Sequence, residues 1–170
     1  MALIMEVREK SPEFGENSWL APNATVVGDV VMGKNCTVWF NAVIRGDVNE
    51  IRIGDDTNIQ DGAIIHCTFQ KAGTYIGSQV SIAHNACVHG CTIHDRVLIG
   101  MGAIVMDGAV VHSGAVIAAG AVVLPNTVVE ANSIYAGMPA KKVKDIGSEM
   151  EDVITRTAKN YPMYAEWYKK

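Results

Sequence analysis

The chain has 170 residues and a formal net charge of −4, enough length for one domain with a real core. Its acidic balance argues against a nucleic-acid or anionic-membrane partner, since those need a basic face. Although 49% of the residues are apolar, no uninterrupted apolar run reaches membrane-spanning length.

The opening "MALIMEVREK" places charges where a signal peptide needs a long apolar centre. The expectation is a cytoplasmic protein. The first 20 or so residues are expected to cap the open end of the structure that follows, shielding its core.

From Val26 an aliphatic residue recurs at every sixth position: "VVGDVV", "MGKNCT", "VWFNAV", "IRGDVN". The beat slips, continues through "IGDDTN" and "IQDGAI", and breaks again at "CTFQKAGTY". It resumes with "IGSQVS" and "IAHNAC", and from Ile93 to Ile134 it is strict. A hexapeptide repeat marks a parallel β-helix. Each block supplies one short strand whose first residue fills the core. The fifth residue is small, as at Ala42, Ala63, Ala86 and Ala103, because two strands meet there at a tight corner. Three blocks make a triangular coil of about 18 residues.

The beat stops at Lys144. Apolar residues at 146, 150, 153, 154, 157, 161, 164 and 167 then approach helical spacing. The expected organisation is all-β: a β-helix with its cap over 1–143 and a C-terminal helix over 144–170 packed on the same domain. Pro162 is expected to kink or break that helix. Cys36, Cys67, Cys87 and Cys91 are read as free thiols, since a chain this long has no need of a disulfide framework. "HNACVHGC" matches no common closed zinc site.

Following the blocks round the prism sorts the histidines. Blocks at 26, 44, 65, 88, 105 and 123 share face one, provided "CTFQKAGTY" is a five-residue bulge and "VNE" a smaller one. His66 and His89 then occupy second, outward positions on successive coils, about 4.8 Å apart along the axis, with Arg45 one coil below. Two nitrogens on one zinc lie slightly closer than that, given Zn–N near 2.0–2.1 Å, so stacked rings can lean together. His84 falls elsewhere, on face three, stacked over Asp61 with Gln60 beside it. A neighbouring chain can close the triad if face one of one subunit meets face three of the next, and three-fold symmetry closes such a contact into a ring. His94 and His112 stack on face two with no third ligand converging, and serve as a control.

Several stretches together resemble the gamma class of carbonic anhydrases: "RGD" at 45–47, "NIQDGAIIH" at 58–66, "SIAH" at 81–84, "VHG" at 88–90, "IGMGA" at 99–103 and "YAGMPAKKV" at 135–143. The resemblance covers about residues 15 to 145. It implies a left-handed coil, a homotrimer, and reversible hydration of carbon dioxide to bicarbonate at zinc, with iron or cobalt as substitutes. It implies His66 and His89 of one subunit and His84 of the next as ligands. It also implies Gln60 as a hydrogen-bond partner of the reacting water, and Arg45, Asp47 and Asp61 as a charged network at the contact. Tyr135 matches a position near the pocket, though its first-position register also permits plain packing. Two departures bear on activity. Some members of that class carry a glutamate where this chain has Val48, and an acidic loop where this chain has "CTFQKAGTY". The alternatives are a metal-bearing thioesterase-like or scaffold protein with little hydration activity, and an acyltransferase on the same repeat.

Overall fold

Short strands joined by tight corners leave one side chain per strand for the interior, and the sixth-position aliphatics take that place. In the computed structural model, which describes residues 1–169, they form three columns. Val26, Ile44, Ile65, Val88, Val105 and Val123 pair in register on the first face. Met32, Ile53, Ile76, Ile93, Val111 and Val129 do so on the second. Val38, Ile59, Ile82, Ile99, Ile117 and Tyr135 make the third. The result is a parallel β-solenoid of about seven turns with one C-terminal helix. Faces one and two form one sheet, because the strand Val43–Ile53 runs through the corner between them.

Both breaks in the beat are bulges. The pairing skips from Gly28↔Gly46 to Val30↔Ile51, which expels the stretch around Asp47–Glu50. The second bulge closes on itself through a bridge between Thr68 and Ala72. At the corners the fifth-position alanines Ala42, Ala63, Ala86 and Ala103 are fully buried. The residue before them turns the chain in a left-handed conformation, as at Gly62 (φ 68°) and Asn85 (φ 58°). A Cβ on Gly62 would also lie 2.2 Å from Asn85 Oδ1, so a side chain here would have to displace the Asn85 amide.

Cys36 occupies one such corner, fully buried, with its Sγ donating to the Gly54 carbonyl at 3.1 Å. Burial pushes its thiol from 9.0 up to about 11. The unfolded chain therefore releases this proton near pH 9 while the folded chain keeps it, and stability falls as pH rises from 9 to 11. The expected loss is about 2–3 kcal/mol. Cys36→Ala installs the residue that other corners use and should reduce that slope, with buried Cys91, whose thiol is pushed up to about 12, carrying part of the remainder. Urea unfolding of both proteins at pH 8, 9.5 and 11 checks it.

The two ends differ from the expectation in detail. Ile4 pairs with Val26, Phe14 with Met32 and Leu20 with Val38. The first twenty residues thus build a further coil rather than only a lid, its beat obscured by the ten-residue step from Ile4 to Phe14. At the other end Ser133–Gly137 is paired antiparallel by Ala140–Asp145. Lys144 and Asp145 are still strand, and the helix spans Ser148–Glu166 with Pro162 inside it. Lys170, included in the predicted helical segment, lies outside the described residues.

The helix packs on the third face, against strands around Thr37–Val38, Asn58–Ile59 and Ser81–Ile82. Its buried residues are Ile154, which belongs to the predicted stripe, and Ala158 and Ala165, which do not. Trp167, also of that stripe, is 72% exposed. Small residues let the helix approach the prism, and Tyr161 reaches Trp39 with ring centroids 5.2 Å apart. Among the described residues no helix is long and apolar enough to cross a membrane.

Candidate metal centre

His66 and His89 each sit one residue after a core aliphatic, so the core column aims their rings. Val88 stacks on Ile65 and sets His89 over His66 in register. The rings meet at 62°, and His66 Nδ1 lies 3.1 Å from His89 Nε2. Each ring's other nitrogen meets a carboxylate. His66 Nε2 is 3.1 Å from Asp47 Oδ1, and His89 Nδ1 is 2.5 Å from Asp107 Oδ1. Arg45 donates to the second oxygen of Asp47 at 2.6 Å.

The charges decide the tautomers. Burial alone would raise the Asp47 carboxyl, but the hydrogen bonds from Arg45 and His66 outweigh it and hold the group below its ordinary value. Burial opposes ionisation of Asp107 too, and the bonds from Thr68 and His89 outweigh it. Both are therefore ionised at neutral pH and can only accept. Burial, and secondarily the Arg45 and His89 charges, lower His66 and keep it neutral. With Nε2 of His66 and Nδ1 of His89 each turned to a carboxylate that can only accept, the two remaining nitrogens face each other at 3.1 Å, close to the separation of two nitrogens bound to one zinc.

His84 stands on the third face, as the block count required. Its Nδ1 is 3.0 Å from Asp61 Oδ2, which leaves Nε2 as its lone-pair nitrogen. That nitrogen is 3.4 Å from the Tyr161 hydroxyl of the helix. Gln60, 3% exposed, donates through Nε2 to Asn58 Oδ1 at 3.0 Å, and Asn58 donates to Ser81 Oγ at 2.8 Å. This chain of amides fixes the rotamer of Gln60.

The control pair behaves differently. His94 and His112 stack almost parallel, at 8° and 5.1 Å between centroids, so their lone pairs run side by side instead of converging. Neither has a carboxylate partner among the described residues, whereas His66, His89 and His84 each have one.

Among the described residues of one chain, no group of three or more His, Cys, Asp or Glu is arranged to hold a metal. His66 and His89 are together; His84 is not with them. Tyr135 is 8% exposed and belongs to the core, paired with Ile117.

Comparison with known proteins fits this arrangement. Residues 11–46 and 90–125 match the family model described as bacterial transferase hexapeptide (six repeats). A protein of Methanocaldococcus jannaschii named "Probable carbonic anhydrase" is 49% identical, over 90% of this chain and 96% of its own length. "Carbonic anhydrase" of Geobacillus kaustophilus is 38% identical over 98% and 91%.

The chain belongs to the gamma carbonic anhydrase family.

"Gamma carbonic anhydrase 2, mitochondrial" of Arabidopsis thaliana is 40% identical, but this chain spans only 59% of its length. Among solved structures, a hexapeptide transferase family protein from Anaplasma phagocytophilum superposes with a TM-score of 0.94. It is 35% identical, with 98% of each chain covered. The left-handed coil expected of a gamma carbonic anhydrase accords with this membership.

Sequence reasoning missed Asp107 and Tyr161. Asp107 was legible in principle: it is the third residue of a face-one block, "VMDGAV", one coil beyond His89. Listing third positions as well as second would have found it. Tyr161 was not legible, because helix spacing does not show which prism face the helix covers.

Proposed function

We propose that this chain hydrates carbon dioxide reversibly to bicarbonate at zinc bound by His66 and His89 of one copy and His84 of a neighbouring copy, in a three-fold ring. The observation that carries the reading is the pairing of each candidate histidine with its own aspartate. This pattern turns one nitrogen of every ring outward as a lone pair, as zinc ligands require. The control histidines lack it.

The donor set fits zinc: three neutral imidazoles, each braced by a carboxylate in its outer sphere. When bound, zinc supplies a Lewis acid that lowers the pKa of a water from 15.7 to about 7. Asp47 holds the His66 ring, and Arg45 neutralises and fixes Asp47. Asp61 holds His84 in the same way. With Nε2 committed to Asn58, Gln60 offers Oε1 to accept a hydrogen from the reacting water and orient it.

A second copy is the natural cover for face one. Around the histidine pair, Ile64, Ile104, Met106 and Leu124 stand exposed, an apolar outward surface beside an incomplete ligand set. A heterologous contact between this surface and face three of the next copy brings His84 to the pair and closes at three copies.

The loop 67–73 carries no carboxylate and Val48 replaces an acidic residue, so proton export should depend on buffer. Stopped-flow hydration of carbon dioxide by anaerobically prepared, zinc- or iron-loaded protein should show catalysis that increases with imidazole buffer concentration. Three chains by light scattering and one metal per chain accompany the reading. Loaded trimers with no hydration at any buffer concentration would overturn it in favour of a metal-bearing thioesterase-like or scaffold protein. Because the solved relative is named a hexapeptide transferase family protein, coenzyme A titration is the test for acyl transfer, with no binding expected.

A further inference from the structure

We infer that Asp107 is a positioning residue for His89, locked in place by the Thr68 hydroxyl, so that the bulge Cys67–Gly73 acts as a bracket that sets the spacing of the two metal ligands. The inference rests on the reading of His66 and His89 as ligands.

Both oxygens of Asp107 are committed. Oδ1 accepts from His89 Nδ1 at 2.5 Å, and Oδ2 accepts from the Thr68 hydroxyl. A carboxylate held at one oxygen swings about its Cβ–Cγ bond; held at both, it cannot. Thr68 is itself fixed, because its backbone N–H donates to the Ala72 carbonyl at 2.9 Å while its carbonyl accepts from Lys71 and Ala72 at 3.2 Å.

The other end of the bulge is tied to the same two histidine segments. Thr74 is fully buried. Its hydroxyl donates to the His66 carbonyl at 2.5 Å and accepts the Gly90 N–H at 2.9 Å. One threonine therefore joins the His66 backbone to the residue after His89, and the other joins the bulge to the His89 ring through Asp107. The insertion that disturbs the repeat lies between the two ligands in sequence and is fastened to both in space. Its residues Lys71 and Ala72 also line, with His89, Met106 and Asp107, one side of a recess beside the ring.

Zinc affinity of the purified trimer, measured by chelator competition, tests this. Asp107→Ala should weaken zinc binding about 10–100-fold, the usual cost of losing an outer-sphere partner. Asp107→Asn keeps an acceptor for the imidazole N–H and should retain more affinity than the alanine variant. Thr68→Val, a change on a partly exposed bulge, should weaken binding several-fold in the wild-type background and not at all in Asp107→Ala. Independently of any metal, ¹⁵N-imidazole NMR of the metal-free chain should show His89 with its proton on Nδ1, and Asp107→Ala should release it to Nε2. Wild-type affinity in both Asp107→Ala and Thr68→Val, or a His89 tautomer indifferent to Asp107, would overturn the inference. Failure of the wild-type trimer to bind zinc would overturn the ligand reading instead, leaving the tautomer to decide on Asp107.

Discussion

Mixing two inactive variants should restore activity. On the proposed reading, His66→Ala removes a ligand from face one, and His84→Ala removes one from face three. Each variant alone should lose zinc and hydration by more than the roughly 10–100-fold that an outer-sphere loss costs. In a three-fold ring every site takes face one from one copy and His84 from the next. A site is intact when its face one comes from a His84→Ala chain and its His84 from a His66→Ala chain. Unfolding, mixing at equal amounts and refolding should therefore recover about a quarter of the sites, by the statistics of a closed heterologous ring. His66→Ala mixed with His89→Ala should recover nothing, because both lesions fall on the same face. Metal content and initial hydration rate of the mixed trimers read the result. No recovery in the first mixture, or equal recovery in both, would count against ligands shared between copies.

Ile65→Ala should be the most damaging single truncation near the site, and for two reasons. Ile65 is fully buried, stacked between Ile44 and Val88. Truncation of such a residue costs about 2–5 kcal/mol, as lost burial plus the cavity left behind. For a chain of this size that corresponds to a fall in Tm of roughly 5–15 °C. It also loosens the strand that aims His66. Ile64→Ala, one residue earlier, points outward and is 46% exposed. It should change the Tm of the isolated fold little and instead weaken association between copies. Calorimetry together with light scattering at fixed protein concentration separates the two, and equal Tm losses would contradict the inward–outward alternation.

Much of the fold was legible because a β-helix repeats one rule. With one aliphatic per strand facing inward, counting by six placed Ile44, Ile65 and Val88 in a column, and a column fixes what its outward neighbours touch. The stacking of His89 on His66 and the pairing of His84 with Asp61 follow from that count once the two bulges are placed. What escaped it were contacts that leave the register. Asp107 reaches diagonally to His89, Thr68 reaches from a bulge of no fixed geometry, and Tyr161 arrives from a helix about 77 residues away in sequence. Spacing says that such a helix exists; only packing says which face its alanines fit. Tyr135 shows the register at work, since its first-position place in the block set it beside Ile117 in the core.

The helix on the third face has a consequence for how the chain acquires its shape. Almost every strand pairing joins residues 17 to 23 positions apart, as Ser81 with Leu98 and His66 with His89 do, so each turn can settle on the last one as it emerges, with only short loops to close. Trp39 must wait for Tyr161, far downstream. Until then the wall bearing His84 lacks its helix. In the proposed ring, the contact made through that wall would therefore form only after the helix has docked.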